Sequence, residues 1–183
     1  MVKGIFLDRD GVIIENRADY VRSWMDVEFI PGAIEALVRL STMPYKIVVV
    51  TNQSAVGRGI ITIEEVEMIN EQIMNAIRQK GGRVDAYYLC PHAPEEECSC
   101  RKPEPGMLLA AADDLQIDLQ KSIMVGDALT DIQAGKRAGI SNNYLVLTGR
   151  GMDQLQLPLV DSTRPFSIIN SLADLPEIIE PII

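Results

Sequence analysis

The chain is short of positive charge and of long apolar runs, and each shortage removes a class of function. Its 17 Lys and Arg face 26 Asp and Glu, a formal net charge of -9 at neutral pH. Nucleic acids and anionic bilayers are held through clustered cations, so neither is an expected partner. No apolar run approaches the roughly 20 residues that a spanning helix needs. The first such run is cut at Asp8, too early for the apolar segment of a signal peptide. A soluble, cytoplasmic protein is expected. Repeats and linkers are absent too, which leaves 183 residues, 47% of them hydrophobic, as one domain over 1–183 with one core.

Cysteine is scarce but not scattered. Cys90, Cys98 and Cys100 are the only cysteines and His92 the only histidine, and all four fall within eleven residues. An odd number of thiols in a cytosolic chain argues against a disulfide framework and leaves metal or redox chemistry. The stretch Cys90-Pro91-His92-Ala93-Pro94-Glu95-Glu96-Glu97-Cys98-Ser99-Cys100 offers thiolates and one imidazole. These are the donors of a closed tetrahedral zinc site with no position open to water. The loop has almost no apolar residues with which to bury thiols, so zinc would replace the missing core and its binding energy would become folding energy. Cys100 runs directly into Arg101 and Lys102, so fixing that sulfur fixes the base of both cations.

What is present is organised around the opening stretch. Gly4-Ile5-Phe6-Leu7 is a continuous apolar run that reads as a buried strand of a parallel sheet. Asp8 and Asp10 follow at its end, where open α/β sheets collect ligands, and Gly11 lets the backbone turn. Two carboxylates so close repel unless a cation lies between them or one keeps its proton, and bound Mg²⁺ is the expected remedy. Residues 12–29 show no clean period and read as a surface excursion, either a flap over substrate or an ordinary loop. Pro31-Gly32 opens a helix to about Ser41, residues 46–50 form the next strand, and Thr51-Asn52-Gln53-Ser54 a polar turn after it.

Residues 55–59 read as a flexible loop carrying Arg58. Thr62-Ile63-Glu64-Glu65 is a capping box, and Ile63, Val66, Ile69, Ile73 and Ile77 recur at helical spacing until Gly81-Gly82. Further strands are expected at 86–90, 122–125 and 144–147, with an edge strand at 166–169. Helices are expected from Pro103 to about Leu115, after Asp131 with Ala134 and Ala138 and closed by Gly139, and over 172–179. Strands alternating with helices specify a doubly wound parallel sheet covered on both faces.

The order Asp8-x-Asp10-Gly11, then Thr51, Lys102 and Gly126-Asp127-x-x-x-Asp131, each after its own strand, resembles the haloacid dehalogenase superfamily of phosphatases over residues 4–148. Phosphate monoesters hydrolyse so slowly in water that such an enzyme must supply ~20 kcal/mol or more of alignment and charge stabilisation. The resemblance implies that Asp8 attacks phosphorus to give an aspartyl phosphate, while Asp10 protonates the leaving oxygen and then activates water. It gives Mg²⁺ to Asp8, the carbonyl of Asp10, and Asp127. Thr51 and Lys102 hold the equatorial oxygens, and Asp131 orients Lys102 or the waters on the metal.

The zinc loop running into Arg101-Lys102-Pro103-x-Pro105-Gly106-Met107, with Thr51-Asn52-Gln53-Ser54 and Arg58-Gly59, is similar to the D-glycero-D-manno-heptose 1,7-bisphosphate phosphatase family. The N-terminal histidinol-phosphate phosphatase domain shares the paired aspartates and the zinc elements. The narrower resemblance implies substrate contacts at Asn16, Arg17, Ala18, Asp19, Asn52, Gln53, Ser54, Arg58, Arg101 and Ala128. A bisphosphate brings about four negative charges, so a cation beyond the reaction centre is needed, and Arg101, with Arg58 or Arg17, suits that task. Val12 stands where the family frequently has threonine and Ala128 where it often has a polar side chain, which leaves the sugar anomer and the ester open.

The expected function is Mg²⁺-dependent release of the C7 phosphate from a small phosphorylated sugar, by a monomer with no large cap domain. Two alternatives stand beside it. One keeps the enzyme but changes the substrate to histidinol phosphate or another small monoester. The other is a zinc-stabilised phosphate-binding module without turnover, against which Asp10 speaks, since such a module has no use for an acid/base beside the nucleophile.

Overall fold

A computed structural model describes residues 1–179. Its sheet has six strands, β1 (Lys3–Leu7), β2 (Tyr45–Asn52), β3 (Ala86–Cys90), β4 (Ile123–Gly126), β5 (Asn142–Val146) and β6 (Ser167–Ile169). Every neighbouring pair is parallel, in the order β3-β2-β1-β4-β5-β6. The winding reverses between β1 and β4, and in such sheets the crevice beyond the carboxyl ends at the reversal is where ligands bind. The register Leu7↔Val125 then puts Asp8 beside the end of β4, and Asp8 N–H donates to Val125 O at 3.0 Å.

Strand alternation divides the core in two. Ile5, Leu7, Ile47, Val49, Ile123 and Val125 face one apolar layer, while Phe6, Val48, Val50 and Met124 face the other. The first layer is closed by α1 (Ala33–Ser41), by α3 (Ile63–Gln79), which follows the short α2 (Ser54–Gly57), and by Leu175 near the chain's end. The second is closed by α4 (Gly106–Leu115) and α5 (Leu129–Arg137), through Met107, Leu108, Ala111 and Ala134. Two short helices, α6 (Gly151–Gln154) and α7 (Leu159–Thr163), lie between β5 and β6, and α8 (Leu175–Ile179) ends the described chain. Among the described residues there is no large inserted cap domain, and no helix is long and apolar enough to cross a membrane.

The start of α3 follows its sequence signal. Glu65 N–H donates to Thr62 Oγ1 at 3.2 Å and Thr62 N–H to Glu65 Oε2 at 2.8 Å, so two donors that the first turn leaves free are satisfied reciprocally. Val66, Ile69, Ile73 and Ile77 are its buried face. Each such side chain stabilises the fold by about 1.5–3 kcal/mol on burial.

Four local expectations are corrected. Residues 12–29 are not wholly a surface excursion: Val12, Ile13 and Ile14 are fully buried, because Gly11 N–H donates to Ile14 O at 2.7 Å and Ile14 bridges Phe29, folding the apolar triplet back into the core. The supposed flexible loop after Gln53 begins with α2, held down where Gln53 N–H meets Cys90 O and Gly57 N–H meets Pro91 O, both at 2.8 Å. Pro31 precedes α1 instead of opening it, since Gly32 at φ 80° is the cap. Thr51 and Asn52 lie within β2, paired with Leu89 and Cys90, where a turn was expected.

Candidate active site

Three carboxylates converge beyond the β1–β4 reversal. Asp8 follows β1, Asp127 follows β4, and Asp131 sits in the first turn of α5. Each is almost wholly buried, and oxygens from all three lie within 4.8 Å of one another. The backbone has to be bare for them to approach so closely. A Cβ on Gly11 would stand 2.3 Å from Asp127 Oδ2, and one on Gly126 would stand 2.1 Å from Asp131 Cβ.

Lys102 bridges two of the acids. Its Nζ is 2.9 Å from Asp8 Oδ1 and 2.6 Å from Asp131 Oδ1, and it also donates to Val50 O at 2.7 Å. Asp131, expected to orient Lys102 or the waters on the metal, makes the shorter of that lysine's two carboxylate contacts. Burial pushes the Asp8 carboxyl up to about 6; Lys102 opposes this, and Asp131 and Asp10 add to it. Burial works against the charge on Lys102, but Asp131 and Asp8 outweigh it and hold the ammonium above its ordinary range. Burial also raises Asp127, against the pull of Arg150. Asp8 Oδ1 has the ammonium near it but no hydrogen bond of proper geometry. A buried, under-satisfied carboxylate oxygen among converging acids suits a hard divalent cation that takes oxygen donors, so the residues fit magnesium.

Asp10 is fixed by different partners. Gln53 Nε2 donates to its Oδ2 at 2.8 Å and to Thr51 Oγ1 at 2.8 Å. Arg9 grips the same carboxylate with Nε at 3.2 Å and Nη2 at 3.0 Å, while its Nη1 donates to Asn70 Oδ1 on α3 at 2.8 Å.

Over these groups lies a cavity of about 410 Å³ whose lining includes Asp8, Asp10, Asn16, Arg17, Asn52, Gln53, Ser54, Arg101 and Lys102. Other expected site residues fall outside this lining. Thr51 lies behind Gln53, Ala128 is buried under the start of α5, and Ala18 and Asp19 are exposed at a turn. Arg58 is drawn off towards Glu95, 3.8 Å away. Sequence reasoning passed over Arg9 and Arg150, both of which line the cavity. Arg150 N–H and Nε donate to Asp127 Oδ2 at 2.9 and 3.2 Å, and Nη2 donates to Oδ1 at 3.0 Å. The available signal was positional, since Thr148-Gly149-Arg150 follows the carboxyl end of β5.

Beside the cavity, Cys90, His92, Cys98 and Cys100 form a second cluster. Separations from Sγ of Cys90 and Cys100 to each other, to Cys98 Sγ and to His92 Nδ1 run from 3.2 to 3.5 Å, far above a disulfide length. Burial opposes ionisation of Cys98, but hydrogen bonds from Cys100 and Cys90 outweigh it and bring this thiol down to about 7. Near-equal spacing of thiols and an imidazole around one point is the donor arrangement of tetrahedral zinc, so the residues fit that metal. The cluster is tied to the cavity. Arg101 Nη1 donates to His92 O at 3.0 Å, and Lys102 N–H donates to Asn52 Oδ1 at 3.1 Å while Asn52 Nδ2 returns to Lys102 O at 3.0 Å.

Known proteins share this architecture. Residues 99–175 match a family profile described as HAD-hydrolase-like. The chain is 40% identical over 188 residues to the D-glycero-beta-D-manno-heptose-1,7-bisphosphate 7-phosphatase of Photorhabdus laumondii, covering 99% of this chain and 97% of that protein. It is 40% identical over 186 residues to the Escherichia coli K12 protein of the same name, covering 98% and 94%. Among solved structures, the D,D-heptose 1,7-bisphosphate phosphatase from B. bronchiseptica complexed with magnesium and phosphate superposes with a TM-score of 0.88 at 36% identity, covering 96% of this chain and 97% of that one. L-2-haloacid dehalogenase from Xanthobacter autotrophicus shares the fold at 12% identity and a TM-score of 0.63. The chain therefore belongs to the D-glycero-D-manno-heptose 1,7-bisphosphate phosphatase family of the haloacid dehalogenase superfamily.

Proposed function

We propose that this protein is a Mg²⁺-dependent phosphatase that removes the C7 phosphate of D-glycero-β-D-manno-heptose 1,7-bisphosphate through a phosphoaspartate on Asp8. The observation that carries the reading is the buried Asp8, bridged by Lys102 to Asp131 and converging with Asp127 at the reversal of the sheet. The names of its relatives support the substrate.

In the first step an oxygen of Asp8 attacks phosphorus as the bond from phosphorus to the sugar oxygen breaks, and Asp10 gives its proton to that oxygen. Gln53 and Arg9 fix the position of the Asp10 carboxyl. In the second step Asp10 takes a proton from water, the water oxygen bonds to phosphorus, and the bond to Asp8 breaks to restore the carboxylate. Lys102, 2.9 Å from Asp8 Oδ1, would offset charge on the phosphoryl oxygens, and Thr51 supports Asp10 through Gln53. Asp8, the Asp10 carbonyl and Asp127 would hold magnesium, which would supply the charge neutralisation that lets an anionic carboxylate approach an anionic phosphate.

The four-residue Cys/His cluster is assigned to structural zinc. Its carbonyl contact to Arg101 supports a role for that arginine at the second phosphate of the substrate. The test is phosphate release from the α and β anomers of the bisphosphate and from histidinol phosphate, each with and without Mg²⁺. The reading predicts Mg²⁺-dependent turnover of the β anomer with phosphate lost from C7; preference for histidinol phosphate, or release from C1, overturns it.

A further inference from the structure

The site acids meet three cationic side chains: Arg9 on Asp10, Lys102 between Asp8 and Asp131, and Arg150 on Asp127. Arg150 is the odd member. The Arg9 and Lys102 side chains are 1% and 2% exposed, whereas that of Arg150 is 51% exposed. A half-exposed guanidinium leaves a carboxylate for water at small cost, while a buried one does not.

Its partner has no such freedom. Asp127 is 0% exposed, and its two oxygens are covered by the guanidinium fork and the Arg150 N–H. The proposed function gives magnesium an oxygen of this carboxylate, and there the guanidinium and a dication compete. The backbone cannot make room. Thr148 Oγ1 donates to Gly11 O at 2.7 Å, and Gly149, at φ 59°, lies so close that a Cβ there would be 2.5 Å from Gly11 Cα. The half-exposed Arg150 side chain is the freer partner, and it already lines the cavity that Arg101 and Lys102 share. Carboxylate and phosphate present the same paired oxygens to a guanidinium fork.

We propose that Arg150 serves two anions in turn: it covers Asp127 in the metal-free protein, gives way when a divalent cation binds, and then holds a phosphate of the substrate. This rests on the reading of the site as a magnesium-dependent phosphatase. The exchange also explains why the most exposed of the three cations is the one placed on the most deeply buried acid.

The test uses the whole chain, freed of loosely held cations, titrated first with Mn²⁺ and then, saturated with Mg²⁺, with inorganic phosphate. Removing a competitor raises the fraction of protein with Asp127 free, so Arg150→Ala binds Mn²⁺ about 10-fold tighter than the parent. The same variant binds phosphate about 10-fold more weakly, one tenfold step being the scale of a single lost charge-assisted contact. Arg150→Lys keeps the charge without the fork and shifts both affinities in the same directions, which carries the test should Arg150→Ala not fold. Unchanged Mn²⁺ affinity or unchanged phosphate affinity in these variants overturns the exchange while leaving the phosphatase reading intact. Failure of the parent protein to bind Mn²⁺ at all overturns both.

Discussion

Lys102 touches Asp8 from a separate part of the chain, its Nζ 2.9 Å from Asp8 Oδ1 with both side chains buried. The contact joins the proposed nucleophile to the segment that leaves the Cys/His loop, and Asp131 completes it from α5 at 2.6 Å. Removing the ammonium strands two buried carboxylates. Lys102→Met is therefore expected to lower the stability of the metal-free protein by about 3–5 kcal/mol. Its kcat is expected to fall by about 10²–10³, the scale of one lost donor at a developing oxyanion. Denaturant unfolding and steady-state kinetics measure the two separately.

The Asp8 carboxyl, pushed by burial up to about 6 from 3.8, sets a pH dependence whose sign is fixed. Between these values the folded chain binds a proton at Asp8 that the unfolded chain has released, so the group favours folding at low pH and this contribution is lost as pH rises through 6. Metal-free Asp8→Asn should thus be more stable than the parent at pH 7, with the gap closing as pH falls towards 4. Thermal melts of both proteins across that range check it; a gap that widens on acidification contradicts the assignment.

Zinc is expected to act on catalysis through position alone. Cys98→Ser, or chelation, frees the loop that carries His92 O, the partner of Arg101 Nη1, and Pro91 O, the partner of Gly57 N–H. Activity should fall about 10–100-fold, the usual consequence of losing support around a site. Hydrogen exchange should quicken over residues 53–59 and 90–102 while β1 and β4 stay protected. Full activity in zinc-free protein contradicts this.

Asn70 supports Asp10 at one remove. It is buried on α3 and accepts from Arg9 Nη1 at 2.8 Å, while Arg9 grips Asp10. Asn70→Ala leaves a buried guanidinium N–H without its partner, a loss of about 1–3 kcal/mol. The melting temperature should drop by several degrees, with kcat reduced and KM nearly unchanged, since Asn70 does not line the cavity.

The sheet and the acids were legible for the same reason. Fully buried parallel strands are unbroken apolar runs, so their ends, and the aspartates at those ends, stand out in the sequence. Asp8 and Asp127 each follow such a signal, and the Cys90–Cys100 cluster, which runs into Lys102, is legible because its donors are rare and adjacent. Arg150 was not, because its value lies in a contact made across 23 residues and dependent on the bare backbone of Gly149. The α2 turn was missed on similar grounds: its four residues are held by Cys90 and Pro91 carbonyls that no local pattern announces. Residues 12–14 were misplaced because three apolar residues are too few to show a period.

The most direct measurement is capture of the phosphorylated carboxylate. The parent protein and Asp10→Asn are mixed with heptose bisphosphate and Mg²⁺, quenched in acid within the first turnover, reduced with borohydride and mapped by peptide mass spectrometry. Reduction converts an aspartyl phosphate to homoserine, and the predicted position is residue 8, with residues 10 and 127 unmodified. Turnover that leaves Asp8 unmodified in both proteins, or homoserine at any other position, contradicts the covalent route.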